Sequence, residues 1–134
     1  MAKSLTEKFS KKDDGVEFIV ITEKSFWGQP AGSKMYISSP EEVAAEVSKL
    51  KPGQLISIKD LRAKIATKHG ADFACPLTTS IFLRIAIDYW LEDTKRLGGN
   101  FPFWRAINIK EDKLFKKLNA EQQELIIKKQ AEES

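Results

Sequence analysis

Cysteine and histidine are nearly absent from this 134-residue chain, with Cys75 and His69 the sole examples. A single thiol excludes an internal disulfide. With one imidazole beside it, a zinc site built on paired thiolates or on several histidines is excluded too. No apolar run approaches the ~20 residues that a membrane-spanning helix needs. The opening residues, Met1-Ala2-Lys3-Ser4-Leu5-Thr6-Glu7-Lys8, have no apolar stretch of the kind a secretory signal requires. The expectation is a reduced, cytoplasmic protein with no membrane partner, no metal and no cofactor. Excess charge of one sign is missing as well: 22 Lys and Arg face 19 Asp and Glu, for a net +3. That balance permits a polyanionic partner without demanding one, so local clustering decides.

What is present suffices for one domain. Hydrophobic residues make up 42% of the chain, enough for a buried core and too many for wholesale disorder. Residues 1–15 are polar with mixed charges and read as a mobile arm, leaving 16–134 as a single domain. Val16–Ile21 and Lys34–Ile37 read as short N-terminal strands, separated by Trp27-Gly28-Gln29-Pro30-Ala31-Gly32 as loop. Ser39-Pro40-Glu41-Glu42 is a helix start, with Ser39 as cap, Pro40 at the first position and Glu42 completing a capping box. That helix should run to about Lys49. Lys51-Pro52-Gly53-Gln54 is a turn.

A second helix starts at Ser57-Ile58-Lys59-Asp60, with Leu61 and Ile65 inward and Lys59, Arg62, Lys64 and Lys68 on much of the remainder. Gly70 is placed to end it in a left-handed cap. A third helix is expected from about Pro76 to Leu97. It is so apolar from Ile81 to Leu91 that it should be central and covered on most sides. Phe101–Asn108 reads as a strand, Ile109–Leu114 as a hairpin turn with its return strand, and Asn119 with Gln122 as the start of a last helix. Helix, turn, helix and hairpin outline an α+β fold of the winged helix-turn-helix type.

The residues then point to a family. Lys51-Pro52-Gly53-Gln54-Leu55-Ile56-Ser57-Ile58-Lys59-Asp60-Leu61 resembles the P-x-G-x-V-T-T-Y-G-D-I-A motif of the alkylguanine–DNA alkyltransferases, the methylated-DNA–protein cysteine methyltransferase family. Pro102-Phe103-Trp104-Arg105-Ala106-Ile107 resembles that family's Pro-Cys-His-Arg-Val-Val segment. It is closer still to alkyltransferase-like proteins, in which Trp replaces the acceptor Cys. The resemblance covers about residues 40–130 and implies a DNA-binding domain acting in the repair of DNA damage.

The family's chemistry needs a Cys thiolate, deprotonated through a neighbouring His, that attacks the alkyl group of a flipped guanine. Phe103 stands at the Cys position and Trp104 at the His position. Neither supplies a nucleophile or a base, so the expectation is a non-enzymatic protein. The family's base-rotating Tyr aligns with Ile58 and its Arg finger falls near Leu77. Asp88–Arg96 extends the third helix beyond the family pattern.

The resemblance therefore implies double-stranded DNA as partner, including duplexes with alkylated bases, and a repair protein as a second partner. Candidate DNA contacts are Ile58, Lys59, Leu77, Thr78, Thr79, Ser80, Lys110 and Lys113. Phe103, Trp104 and Arg105 are the candidate base pocket. Most of these have a plainer alternative. Phe103 and Trp104 can be core aromatics, Arg105 an ion-paired arginine, Thr78–Ser80 helix capping, and Lys110–Lys117 a solvated charged run. Cys75 at a helix start is either a packed thiol or an alternative acceptor. A second functional reading is a winged-helix module repurposed for protein or nonspecific nucleic-acid contacts.

Overall fold

In a computed structural model of the chain, residues 5–9, 19–25 and 28–134 are described. The elements run α1 (Leu5–Phe9), β1 (Ile19–Ile21), β2 (Lys34–Tyr36), α2 (Pro40–Ser48), α3 (Ile58–Lys68), β3 (Phe73–Ala74), α4 (Pro76–Glu92), α5 (Leu114–Lys117) and α6 (Ala120–Glu133). Short 3-10 turns occupy Leu97–Gly99 and Phe103–Ala106. The class is α+β, with helices dominating a small sheet ordered β1-β2-β3. β1 is antiparallel to β2, pairing Ile19 with Tyr36 and Ile21 with Lys34. β3 lies parallel to β2, with Met35 opposite Phe73 and Tyr36 opposite Ala74. No described helix is long and apolar enough to cross a membrane.

Helix starts follow their caps. Ser39 accepts from the Glu42 N–H at 3.1 Å, as expected. The Glu42 carboxylate does not close the box, because it is engaged by His69, whose Nε2 lies 2.7 Å from Glu42 Oε2. α3 has the reciprocal box instead: Ser57 Oγ accepts from Asp60 N at 3.1 Å, and Asp60 Oδ2 from Ser57 N at 3.2 Å. Asn119 and Gln122 form the same box at α6. Gly53 takes φ +87 in the turn before α3, where Gln54 N donates to Lys51 O at 3.0 Å. A side chain there would be strained, since only glycine enters that region freely.

The core is one cluster that joins Val43 and Val47 of α2, Leu61 and Ile65 of α3, Leu83 and Ile87 of α4, and Ile126 of α6. α4 is the central helix, in contact with α1, α2 and α3. Leu5–Phe9 belongs to the stretch expected to be a mobile arm. It is helical, and Phe9 is buried with its ring stacked 4.1 Å from that of Tyr89. The rest of that arm, and Val16–Phe18 of the first expected strand, lie outside the described residues.

Three expectations need correcting. First, α4 stops at Glu92, where Asp93 turns extended at φ −150 and Arg96 folds back to donate to the Tyr89 carbonyl at 2.9 Å. Second, Phe101–Asn108 is not a strand. Every residue from Phe101 to Ile107 is buried, so no alternation of faces exists, and a continuous apolar run does not by itself distinguish a strand from any other core segment. Its carbonyls are satisfied across the fold: Arg105 O accepts from Ile56 N at 2.8 Å, and Gln130 Nε2 donates to Trp104 O and Ile107 O.

Third, no hairpin follows. Asn108 Oδ1 accepts from the Lys110 and Glu111 N–H groups. Asp112 N donates to Asn108 O at 2.8 Å, and the chain enters α5. Local side-chain bonds take the backbone partners that a strand ladder would need. β3 was not foreseen, because two residues leave no periodic signal.

Candidate nucleic-acid interface

The N-terminal ends of α3 and α4 and the segment 111–117 enclose an open groove of about 430 Å³. Lys59, Arg62, Lys113 and Lys117 supply its cations, and Glu111 and Asp112 its anions. Leu77 and Ile81, one helical turn apart on α4, line it while each remains more than half exposed. Ser80 completes the α4 side. A surface that combines cations with exposed apolar side chains can take both the charge and the nonpolar groups of one ligand.

Asp112 sets the geometry of this groove. Its Oδ2 accepts from Ile58 N at 3.0 Å and from Asn108 N at 2.7 Å. One carboxylate thus fastens the first residue of α3 to the loop carrying Lys113. Burial raises its pKa above the ordinary aspartate value, against the pull of those two N–H bonds. Asp112 therefore acts as an internal staple, which leaves Glu111 as the exposed anion of the rim.

The expected DNA contacts separate here. Lys59, Leu77, Ser80 and Lys113 come together on the groove. Ile58 lies at its floor with 3% exposure and is core. Thr79 is fully buried, and its hydroxyl donates back to the Cys75 carbonyl one turn earlier at 2.8 Å, so it neither faces the groove nor caps the helix, whose start has no side-chain cap. Thr78 is half-buried beside it, and Lys110 is exposed but does not line the groove. Sequence reasoning missed Arg62 and Ile81 as groove residues, whereas Lys117, like Lys113, belonged to the basic run expected to meet phosphate. Their spacing was visible: Arg62 follows Lys59 by three residues and Ile81 follows Leu77 by four.

Phe103, Trp104 and Arg105 lie elsewhere. Phe103 is fully enclosed by aromatic neighbours, its ring centroid 6.2 Å from Trp90, 5.9 Å from Phe101 and 5.6 Å from Trp104. Phe103 thus has no open face for an extruded base, while Trp104 and Arg105 line a small cavity of about 140 Å³ with Gly53, Gln130 and Glu133. Trp104 is buried too, with Arg105 and Lys129 each 5.5 Å from its ring centroid. Arg105 takes the ion-pair alternative. Its Nη2 lies 2.7 Å from Glu133 Oε2, and its Nη1 donates to Leu50 O at 2.8 Å. The Arg105 guanidinium, aided by Trp104 and the Gly53 N–H, pulls the Glu133 carboxyl down to about 2. Cys75 is buried at the head of α4. His69, the histidine that a thiolate mechanism would need, is committed to Glu42 and stacked on Tyr36 at 3.8 Å.

No family model, curated protein or solved structure matches the chain.

Proposed function

We propose that this chain is a non-catalytic DNA-binding protein of the cytoplasm. In this reading α3, the turn through β3 and α4 serve as a helix-turn-helix, and residues 108–117 take the place of a wing. The observation that carries it is the groove, where Lys59, Arg62, Lys113 and Lys117 surround the exposed Leu77 and Ile81. Cations at such a rim neutralise phosphates and release counterions. The start of α4 presents Leu77 and Ser80 to whatever lies in the groove, with Leu77 suited to act as an apolar wedge between bases. A damage-sensing role rests on the resemblance of Lys51–Leu61 and Pro102–Ile107 to the alkyltransferases. With Phe103 enclosed in the core, this reading assigns selectivity for an alkylated duplex to the groove.

The test is a titration of the protein against matched duplexes, with and without one alkylguanine, at two salt concentrations. Binding that weakens with salt supports the DNA reading, and preference for the lesion supports damage sensing. Absence of binding at low salt favours the second reading, a module for protein contacts. That alternative has its own support, since Leu77 and Ile81 form an exposed apolar pair of the kind partners cover.

A further inference from the structure

Arg62 differs from the chain's other arginines. Arg105 is paired with Glu133, and Arg96 with Glu92 and the Tyr89 carbonyl. Arg84 is exposed to water. Arg62 is half-buried on α3, yet it closes no hydrogen bond or ion pair with another described residue. Partial burial lowers its pKa, and Asp112 lies in its field without closing a pair. A guanidinium stays charged in such a place, so its lost hydration is offset only in part by the field of Asp112, and its hydrogen-bond donors are open to a ligand.

Beside Arg62 lies a second groove, of about 320 Å³, between α3 and β3. It shares Lys59, Arg62 and Pro76 with the first groove. The two therefore flank one pair of cations. The apolar lining of the second groove is Ala63, Ala66, Ala71 and Ala74 with Phe73 and Pro76, and Gln29, Thr67 and Asp72 are the polar groups beside them. Asp72 Oδ2 is occupied by Lys34 N at 2.7 Å, which leaves its other oxygen for a ligand. The four alanines keep the middle of this lining shallow and apolar. Its volume lies at the low end for small-ligand sites, which begin near roughly 300 Å³.

We propose that Arg62 and Lys59 seat a phosphate of an unpaired DNA strand, whose nucleobase lies on the alanine lining of the second groove. The inference rests on the DNA-binding reading and adds to it the class of DNA. A guanidinium fork matches phosphate oxygens in a bidentate way. An apolar lining offers contact to the face of any base, and an unpaired base is free to leave the stack and occupy it. Cations continuing to Lys113 and Lys117 along the first groove favour a strand over a free nucleotide.

The experiment compares a continuous duplex, the same duplex with a short single-stranded overhang, and a free nucleoside monophosphate as competitor. The overhang should raise affinity about tenfold, as stacking of unpaired bases does elsewhere. Arg62→Ala should abolish that preference and flatten the salt slope of overhang binding by about 0.7, the value for one single-strand phosphate. Arg62→Lys should restore the slope. Ala63→Leu combined with Thr67→Leu, at exposed positions one turn apart, fills the groove without changing charge and should bring the ratio of the two affinities to about one. Melting curves confirm that each variant is folded. A bound duplex with no overhang preference, or a preference that survives both the Arg62→Ala and the groove-filling variants, overturns the inference and leaves the DNA reading standing. No binding of either duplex at low salt overturns both. Displacement by the monophosphate at concentrations equal to the overhang duplex overturns the strand in favour of a free nucleotide.

Discussion

Arg105 and Glu133, 28 residues apart, meet at 2.7 Å and tie the end of α6 to the 3-10 turn Phe103–Ala106. The same guanidinium holds the Leu50 carbonyl at the end of α2, and Glu133 Oε1 reaches the Gly53 N–H at 3.4 Å. The pair thus closes the C-terminal helix over the core. Arg105 is 9% exposed, so its charge has little water to fall back on. Replacing Glu133 with alanine strands that charge and is expected to cost about 3 kcal/mol, at the low end for breaking a buried pair because Glu133 itself stays partly solvated. Chemical denaturation of the variant measures it.

The same pair gives a pH dependence with a defined sign. Glu133 is depressed from 4.5 to about 2 in the folded protein, chiefly by its hydrogen bonds to Arg105. A depressed carboxyl contributes stability that is complete above its unfolded pKa and is lost as pH falls through the folded one. The stability difference between the parent chain and Glu133→Gln should therefore be constant above about pH 5 and shrink as pH falls from 4.5 towards 2. Melting both proteins across that range is the check. A difference that stays flat in acid removes the pair as its source.

Phe103 is expected to act through the core alone. Phe103→Ala should cost about 3–5 kcal/mol of stability by opening a cavity between Trp90, Phe101 and Trp104. Affinities for an alkylated and an undamaged duplex should fall together, in proportion to the folded fraction. Selective loss against the alkylated duplex, with melting unchanged, would return Phe103 to the role of base platform.

The helices were legible because their ends are chemical. Ser57 with Asp60 and Asn119 with Gln122 name their positions by hydrogen-bond geometry, and Leu61 and Ile65 name the inner face of α3. The half of the site that lies on α3 and α4 could be read for the same reason: Lys59, Leu77 and Ser80 fall in the first turns of well-marked helices. The rest was not legible because its partners are distant in sequence. Phe101–Ile107 has the composition of a strand, and only the carbonyl-seeking side chains of Gln130 and the Ile56 N–H decide otherwise. Asn108 spends its side chain on local backbone, and Asp112 divides its own between Asn108 and the distant Ile58 N–H, which a β-rich reading of Ile109–Leu114 does not reveal. Arg105 matched a family motif as a site residue, while its fate was set by Glu133, 28 residues further along the chain.

No alkyl group is expected to move from DNA to this protein. Phe103 occupies the acceptor position of the resemblance. Cys75 is buried at the head of α4, and the chain's one histidine is held by Glu42. Incubation with DNA carrying a radiolabelled alkylguanine should leave the intact protein unlabelled. Label recovered on a peptide containing Cys75 would show that this thiol is an acceptor after all.

The groove and the neighbouring lysines can be told apart by salt. Lys113 and Lys117 line the groove, whereas Lys110 is exposed outside it, and Lys116 is exposed on α5 without lining it. Each phosphate neutralised on duplex DNA contributes about −0.9 to the slope of log K against log salt. Lys113→Ala with Lys117→Ala should therefore flatten the slope by up to about 1.8 and weaken binding to all duplexes alike, because phosphate contacts carry no sequence information. Lys110→Ala with Lys116→Ala removes the same charge from the same segment and should leave most of the slope in place. All four side chains are at or near the surface, so neither variant removes core packing, and melting temperatures should stay close to the parent. Equal flattening by the two pairs would mean that the segment acts through its general positive field. No change with either pair would place the duplex on another face and remove the groove from the proposal.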